Sequence, residues 1–160
     1  MILGIDVGIT DCLVVLDDED NYKYKGHLHM PTIKVGSNTR VNGAAIAAWL
    51  HNYDVSHAYI ELVNGMPNPK TGQSIGTASA FSFGHAAGSI EGVLQGALIP
   101  FSTVTPAKWK RNARLLKRDK DATRSRAVQL YPSVRDLDLI KKGQALGDAI
   151  FIARCAVNPL

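Results

Sequence analysis

The chain has 160 residues, 46% of them hydrophobic and 20% charged, which excludes a disordered chain and predicts one domain spanning residues 1–160 with a core that needs no disulfide or metal staple. Its net charge of +4 and pI of about 9.1 favour an acidic partner only if the positive charge is clustered. No stretch nears the ~20 apolar residues that a membrane helix requires, so no membrane partner is expected.

Met1 to Val7 is an Ile- and Val-rich run ended by Gly8, and it reads as a buried strand. Cys12 to Leu16 reads as a second strand, and an acidic turn leads into a third from Tyr22 to Met30. Connections this short predict an antiparallel meander. Pro31 to Asn42 reads as a loop, and Gly43 to His51 as a short helix turning Ile46, Trp49 and Leu50 to the core. His57 to Val63 is the next strand. The stretch NGMPNPKTGQSIGT, residues 64–77, is long and rich in Gly and Pro for a connection inside a compact domain, which points to a functional loop.

Ala78 to Leu98 is the longest predicted helix, with Phe83, Ala87, Ile90, Leu94 and Leu98 on one face. It carries Gly84, Gly88, Gly92 and Gly96 at four-residue spacing. Each interior glycine costs roughly 1 kcal/mol relative to alanine, so the stripe calls for a close neighbour, either the domain's own sheet or a second subunit. Pro100 to Val104 is a strand. Thr105-Pro106 starts a helix, with Thr as N-cap and Pro at the first helical position. A helix from about Asp121 to Tyr131 follows, stopped by Pro132, and Gly143 to Val157 is the last. The order predicts an α/β layered domain around a mixed sheet.

Positive charge is clustered. Between Thr105 and Arg126 lie Lys108, Lys110, Arg111, Arg114, Lys117, Arg118, Lys120, Arg124 and Arg126, against Asp119 and Asp121 alone. Such a stripe can be a solvated helix face, but its imbalance favours a polyanion. Cys12 and Cys155 lie in apolar company without CxxC spacing and read as reduced core thiols. With no signal peptide, since the first apolar run is short and broken by Asp6, a cytoplasmic location is expected. The five histidines show no ligand spacing and read as surface or core residues, and Trp49 and Trp109 as packing residues.

Three acids carry the chemistry: Asp6, Glu61 and Asp148 each interrupt a run that is otherwise apolar. Singly, each has an ordinary explanation as a turn, edge or helix N-terminal residue. Jointly they are costly to bury without a cation, and an all-oxygen set suits Mg²⁺ or Mn²⁺ better than zinc. If the first and fourth strands are neighbours, Asp6 and Glu61 meet at one end of the sheet. Small residues around Asp148 would then let its helix approach. Such a site holds two metal ions for displacement at a phosphodiester, with Asp6 as the natural bridging ligand.

GIDVG at the start, YIELV around Glu61 and GDAIFIA around Asp148 resemble the RuvC Holliday-junction resolvases of the RNase H-like superfamily. The middle of the chain, from NGMPNPK through PAKWKR to KRDKDATRSRAVQLYP, resembles the RuvC-like nucleases of bacteriophages, so the resemblance covers nearly the whole sequence. It implies an RNase H-like α/β fold, a mixed five-stranded sheet flanked by helices. It implies a crossover junction endodeoxyribonuclease with two Mg²⁺ or Mn²⁺ per active site, bound by Asp6, Glu61 and Asp148, in a bacterial cell or phage-infected host. The family has a fourth acidic or histidine ligand one turn before the last acid. Here that region reads Gln144-Ala145, leaving Gln144, a water or Asp138 as substitutes. The family's basic positions fall on Lys110 and Lys120, in company with Lys108, Arg111, Arg114, Lys117 and Arg124 as DNA contacts. Its homodimer interface falls on the glycine helix, at Gly84, Gly88 and Gly92. The aromatic that helps open the junction centre is replaced by Asn64, with Met66 or Phe81 as stand-ins.

Other readings predict different behaviour. GIDVGIT also resembles the phosphate loop of actin-like kinases, but the second loop and double length of that fold are absent. A branched-DNA-binding module that does not cleave, and an RNase H-like nuclease acting on RNA:DNA hybrid, share the expected fold and differ in chemistry or substrate.

Overall fold

The computed structural model describes residues 1–62, 76–119 and 121–156. Asn64, Met66, Lys120 and the glycine-rich segment 64–75 lie outside the described residues.

Strands β1 (Ile2–Ile5), β2 (Cys12–Asp17) and β3 (Lys23–His29) form the expected antiparallel meander. The segment from Pro31 to Asn42 is not a loop, however. It folds into a hairpin of β4 (Thr32–Val35) and β5 (Asn38–Val41) turning at Gly36, which has φ +60°. Its β-branched residues satisfy strand preference, but β4 is exposed along its length, so no buried alternation marks it in the sequence. Helix α1 (Gly43–Leu50) is capped by Asn42, whose side chain accepts from the Ala45 amide at 3.1 Å.

Strand β6 (His57–Glu61) pairs parallel with β1, and β7 (Phe101–Val104) pairs parallel with β6. The sheet order is therefore β3-β2-β1-β6-β7. Between β6 and β7 runs α2 (Thr77–Gly96), followed after the sheet by α3 (Pro106–Asn112), α4 (Ala122–Leu130) and α5 (Ile140–Ala153). Helix α3 starts as expected, with the Thr105 hydroxyl accepting from the Lys108 amide at 3.2 Å. Helix α5 begins three residues before the predicted Gly143, after a 3₁₀ turn at Arg135–Asp138.

Two cores sandwich the sheet. On one face Leu3, Ile5, Leu13, Val15 and Ile60 pack against Ile46 and Leu50 of α1 and against Ala86, Ile90 and Leu94 of α2. On the other, Ile2, Cys12, Val14 and Leu16 pack against Leu146, Ala149, Ile150 and Ala153 of α5. The period-2 alternation of β1 and β2 thus feeds both layers. Both cysteines are buried and free.

The apolar face of α2 is narrower than its sequence pattern. Phe83 is 39% and Leu98 88% exposed, while Ala86, Ile90 and Leu94 form the buried stripe. Gly84, Gly88, Gly92 and Gly96 point away from the sheet. A Cβ added at any of them would meet no described heavy atom within 4 Å. The domain's own sheet is not the neighbour that this ridge calls for. The glycine that permits close approach is Gly4 of β1, where a Cβ would lie 2.2 Å from the Ala149 carbonyl oxygen and 2.5 Å from the Ala153 nitrogen. Helix α5 therefore lies directly on β1. Gly147 faces α4 instead of the sheet, 3.2 Å from the Arg124 Cα by the same measure.

Candidate metal centre

Asp6 directly follows β1, and its amide donates to the Cys12 carbonyl at 3.0 Å. The parallel register pairs Ile5 with Ile60, so Asp6 and Glu61 stand level at the C-terminal ends of adjacent strands, the usual place for a site in an open α/β sheet. Their carboxyl groups are close enough that the charge of Glu61 raises the Asp6 carboxyl. Asp148 comes from α5, held against the sheet by the Gly4 contact, and its charge is felt at Asp6. Three acids separated by up to 142 residues thus converge at one end of the sheet.

Each acid has its own support. Buried Trp109 of α3 donates its indole N–H to Glu61 Oε1 at 2.8 Å, so this residue orients a site carboxylate as well as filling the core. Asp148 Oδ1 accepts from Gln144 Nε2 at 3.0 Å, one helical turn earlier, and the buried Thr123 of α4 lines an opening with both. Gln144 therefore lies beside Asp148 and lines the same cleft as Asp6. Asp138 is exposed and lies 3.8 Å from Arg135, and it does not line the cleft occupied by the acids.

Sequence reading missed Asp11. It ends the turn before β2 and lines with Asp6, Gln144 and Asp148 a cleft of about 630 Å³. Gly8 leaves it room, because a Cβ there would lie 2.0 Å from Asp11 Oδ2. In the sequence Asp11 stands among Gly8, Ile9 and Thr10 as an ordinary turn acid. Only the return of β2 beside β1 brings it to Asp6.

The electrostatics show what this cluster lacks. Asp6 is 9% exposed, and its carboxyl is pushed up to about 9, first by burial and then by the charges of Asp11, Glu61 and Asp148. Burial and Glu61 raise Asp11 as well, partly offset by the Thr10 hydroxyl. Asp148 is raised to about 6 by burial, with Gln144 and Lys110 pulling it back. Buried carboxylates that suppress one another's ionisation are stable as anions only with added positive charge, and all their donor atoms are oxygens. The residues fit a hard divalent cation.

The basic segment borders this centre. Lys110 and Lys117 line with Thr123, Gln144 and Asp148 an opening of about 260 Å³, and Lys110 Nζ lies 5.0 Å from the Trp109 ring centroid. Lys108, Arg111, Arg114 and Lys117 are exposed. Arg124 is otherwise engaged. Its Nε and Nη2 donate to the Asp121 carboxylate at 2.9 Å each, and Nη1 donates to the Leu137 carbonyl at 3.3 Å. Phe81 is 62% exposed, with the Arg40 guanidinium 5.1 Å over its ring.

Two of the histidines share an acidic partner. His27 and His29 are one strand repeat apart, so both project from the same face of β3 and meet Asp136, 109 and 107 residues further along the chain. Their ligand-like arrangement depends on a contact that sequence spacing does not contain.

No family model and no curated protein matches the chain. Among solved structures, Thermus thermophilus RuvC in complex with a Holliday junction substrate is similar with a TM-score of 0.58 at 17% identity, over 96% of this chain and 90% of that one. A further Thermus thermophilus RuvC structure is similar with a TM-score of 0.60 at 16% identity, over 96% and 91%. The chain has a RuvC-like fold, the mixed five-stranded α/β architecture of the RNase H-like class.

Proposed function

We propose that this protein is a metal-dependent, structure-selective endodeoxyribonuclease that resolves four-way DNA junctions by paired nicks from a homodimer. The observation that carries the proposal is the convergence of Asp6, Glu61, Asp148 and Asp11 at one end of a RuvC-like sheet, beside a basic segment. Two Mg²⁺ or Mn²⁺ ions bound there supply an activated water and neutralise charge on the leaving oxygen.

Asp6, Glu61 and Asp148 would hold the ions, with Asp6 the carboxylate on which the charges of Asp11, Glu61 and Asp148 all act. Trp109 holds Glu61, and Gln144 holds Asp148, so little reorganisation is needed when substrate arrives. Asp11 takes the fourth ligand position in place of Gln144 or Asp138. Lys108, Lys110, Arg111, Arg114 and Lys117 receive the phosphate backbone, with Lys120 in the same stretch of sequence. Arg124 contributes by bracing α4 through Asp121.

A twofold dimer gives two sites, one for each strand to be cut. The exposed ridge of Gly84, Gly88 and Gly92 suits the close approach of a second copy. Exposed Phe81 on the same helix suits contact with the opened junction.

The test is cleavage of a labelled synthetic four-way junction in Mg²⁺ or Mn²⁺, run beside linear duplex, fork and RNA:DNA hybrid, with Asp6→Asn as control. Paired symmetric nicks that disappear in the variant are expected. Junction binding without cleavage by either metal would favour a non-cleaving branched-DNA module. Preferential cutting of the hybrid would assign an RNase H-like activity.

A further inference from the structure

We propose a second metal site, separate from the carboxylate centre, in which His27, His29 and Asp136 bind one Zn²⁺-class transition ion that clips the edge strand β3 to the turn before α5. One ligand atom from each residue lies within 4.8 Å of the others. Both imidazoles direct Nε2 at a single carboxylate oxygen: His27 Nε2 is 3.0 Å and His29 Nε2 3.2 Å from Asp136 Oδ2. Ligand bonds of about 2.0–2.1 Å give a tetrahedral edge of about 3.3 Å. The two His–Asp136 separations are thus within a few tenths of an ångström of that edge, and the two imidazole ligand atoms lie within 4.8 Å of each other.

The surroundings are those of a built site. The hydroxyl of Tyr24 hydrogen-bonds to His27 Nδ1, the nitrogen that faces away from Asp136, and so fixes the ring orientation as outer partners of metal-bound histidines do. The two imidazoles meet edge-to-face with centroids 4.9 Å apart. Their side chains are 15% and 24% exposed, against 44% for Asp136, so the group opens to solvent on the carboxylate side. That leaves a fourth position for water. Two imidazoles and one carboxylate suit Zn²⁺ or Co²⁺, whereas Mg²⁺ prefers the all-oxygen centre.

The site would act on the architecture. Asp136 lies in the 3₁₀ turn that leads into α5, and α5 carries Gln144 and Asp148. A bound ion would close a loop of more than a hundred residues between β3 and that turn, steadying the helix that delivers a carboxylate to the other centre.

The experiment uses full-length Asp6→Asn/Asp148→Asn protein in excess Mg²⁺, so that binding at the carboxylate centre does not obscure the readout. Titration with Co²⁺ is expected to give the visible absorption of a tetrahedral ion at one equivalent, displaced by Zn²⁺, and Zn²⁺ is expected to raise the Tm. His27→Gln and His29→Gln should each abolish the absorption and the Zn²⁺-induced Tm shift. Tyr24→Phe, which keeps all three ligands, should weaken binding about tenfold or more. A merely structural His–Asp contact would lower the metal-free Tm in these variants without any metal-dependent shift in the parent. Absence of the Co²⁺ signal from the folded parent, or its persistence in the His27→Gln/His29→Gln double variant, would overturn the proposal. Neither outcome depends on nuclease activity.

Discussion

Asp6 is the residue at which burial and charge conflict most. Its native carboxyl is pushed up to about 9 from an ordinary value of 3.8, so in the absence of metal the folded state binds a proton that the unfolded state releases. The sign follows from linkage: metal-free stability falls as pH rises from about 4 to about 9, because the unfolded chain binds fewer protons across that window. Asp148, raised to about 6, adds to the fall at the lower end. Asp6→Asn should therefore melt several degrees above wild type at pH 8 without metal, and converge with it near pH 4, in paired thermal scans. The same variant should lose nuclease activity by at least about 10³-fold. If the wild type grew more stable with rising pH in chelator, the acids would not be packed as described.

Trp109 makes a second residue-scale prediction. Trp109→Phe preserves most of the buried volume and removes the N–H that holds Glu61. A charge-assisted hydrogen bond contributes about 1.5–3 kcal/mol, so cleavage should slow by roughly ten- to a hundredfold and require more Mg²⁺ for half-maximal rate. Rate measured against metal concentration separates this from a general loss of folding.

Two glycines expose opposite demands at the scale of elements. Gly4 sits where α5 crosses β1, and a methyl group there would meet backbone 2.2 Å away. Gly4→Ala should destabilise the protein by about 1–3 kcal/mol, read as a lowered Tm and urea midpoint, because backbone cannot move aside as a flexible side chain can. Gly88 lies on the open face of α2. Gly88→Ala should stabilise the isolated protomer by up to about 1 kcal/mol while raising the dimer dissociation constant in sedimentation measurements. A stabilised protomer with unchanged association would count against the proposed dimer interface on this face. The legible signals behaved differently here. Thr105-Pro106 marked a helix start that formed as expected, since capping is a local bond, whereas the 31–42 hairpin escaped notice because its first strand is exposed along its length and carries no buried periodicity.

Across the whole molecule, charge is distributed so that the acidic cleft and the basic segment share a border at Lys110 and Asp148. DNA binding should therefore weaken steeply with salt through counterion release. Lys110→Ala should reduce the slope of log K against log salt by about one, and Arg124→Ala should instead lower the Tm through loss of its Asp121 and Leu137 contacts. Fluorescence anisotropy at several salt concentrations, beside thermal melts, distinguishes the two roles.

Composition, periodicity and punctuation determined the α/β class, the meander, most helix positions and the anomaly of three acids in apolar runs, because these depend on neighbours within a turn or a strand repeat. The parallel pairing of β1 with β6, the approach of α5 onto Gly4, the fourth carboxylate Asp11 and the His27–His29–Asp136 group were decided only by tertiary structure. Each depends on segments far apart in sequence being brought within a few ångströms, and a turn acid or a pair of strand histidines has no distinguishing local pattern until its partner arrives.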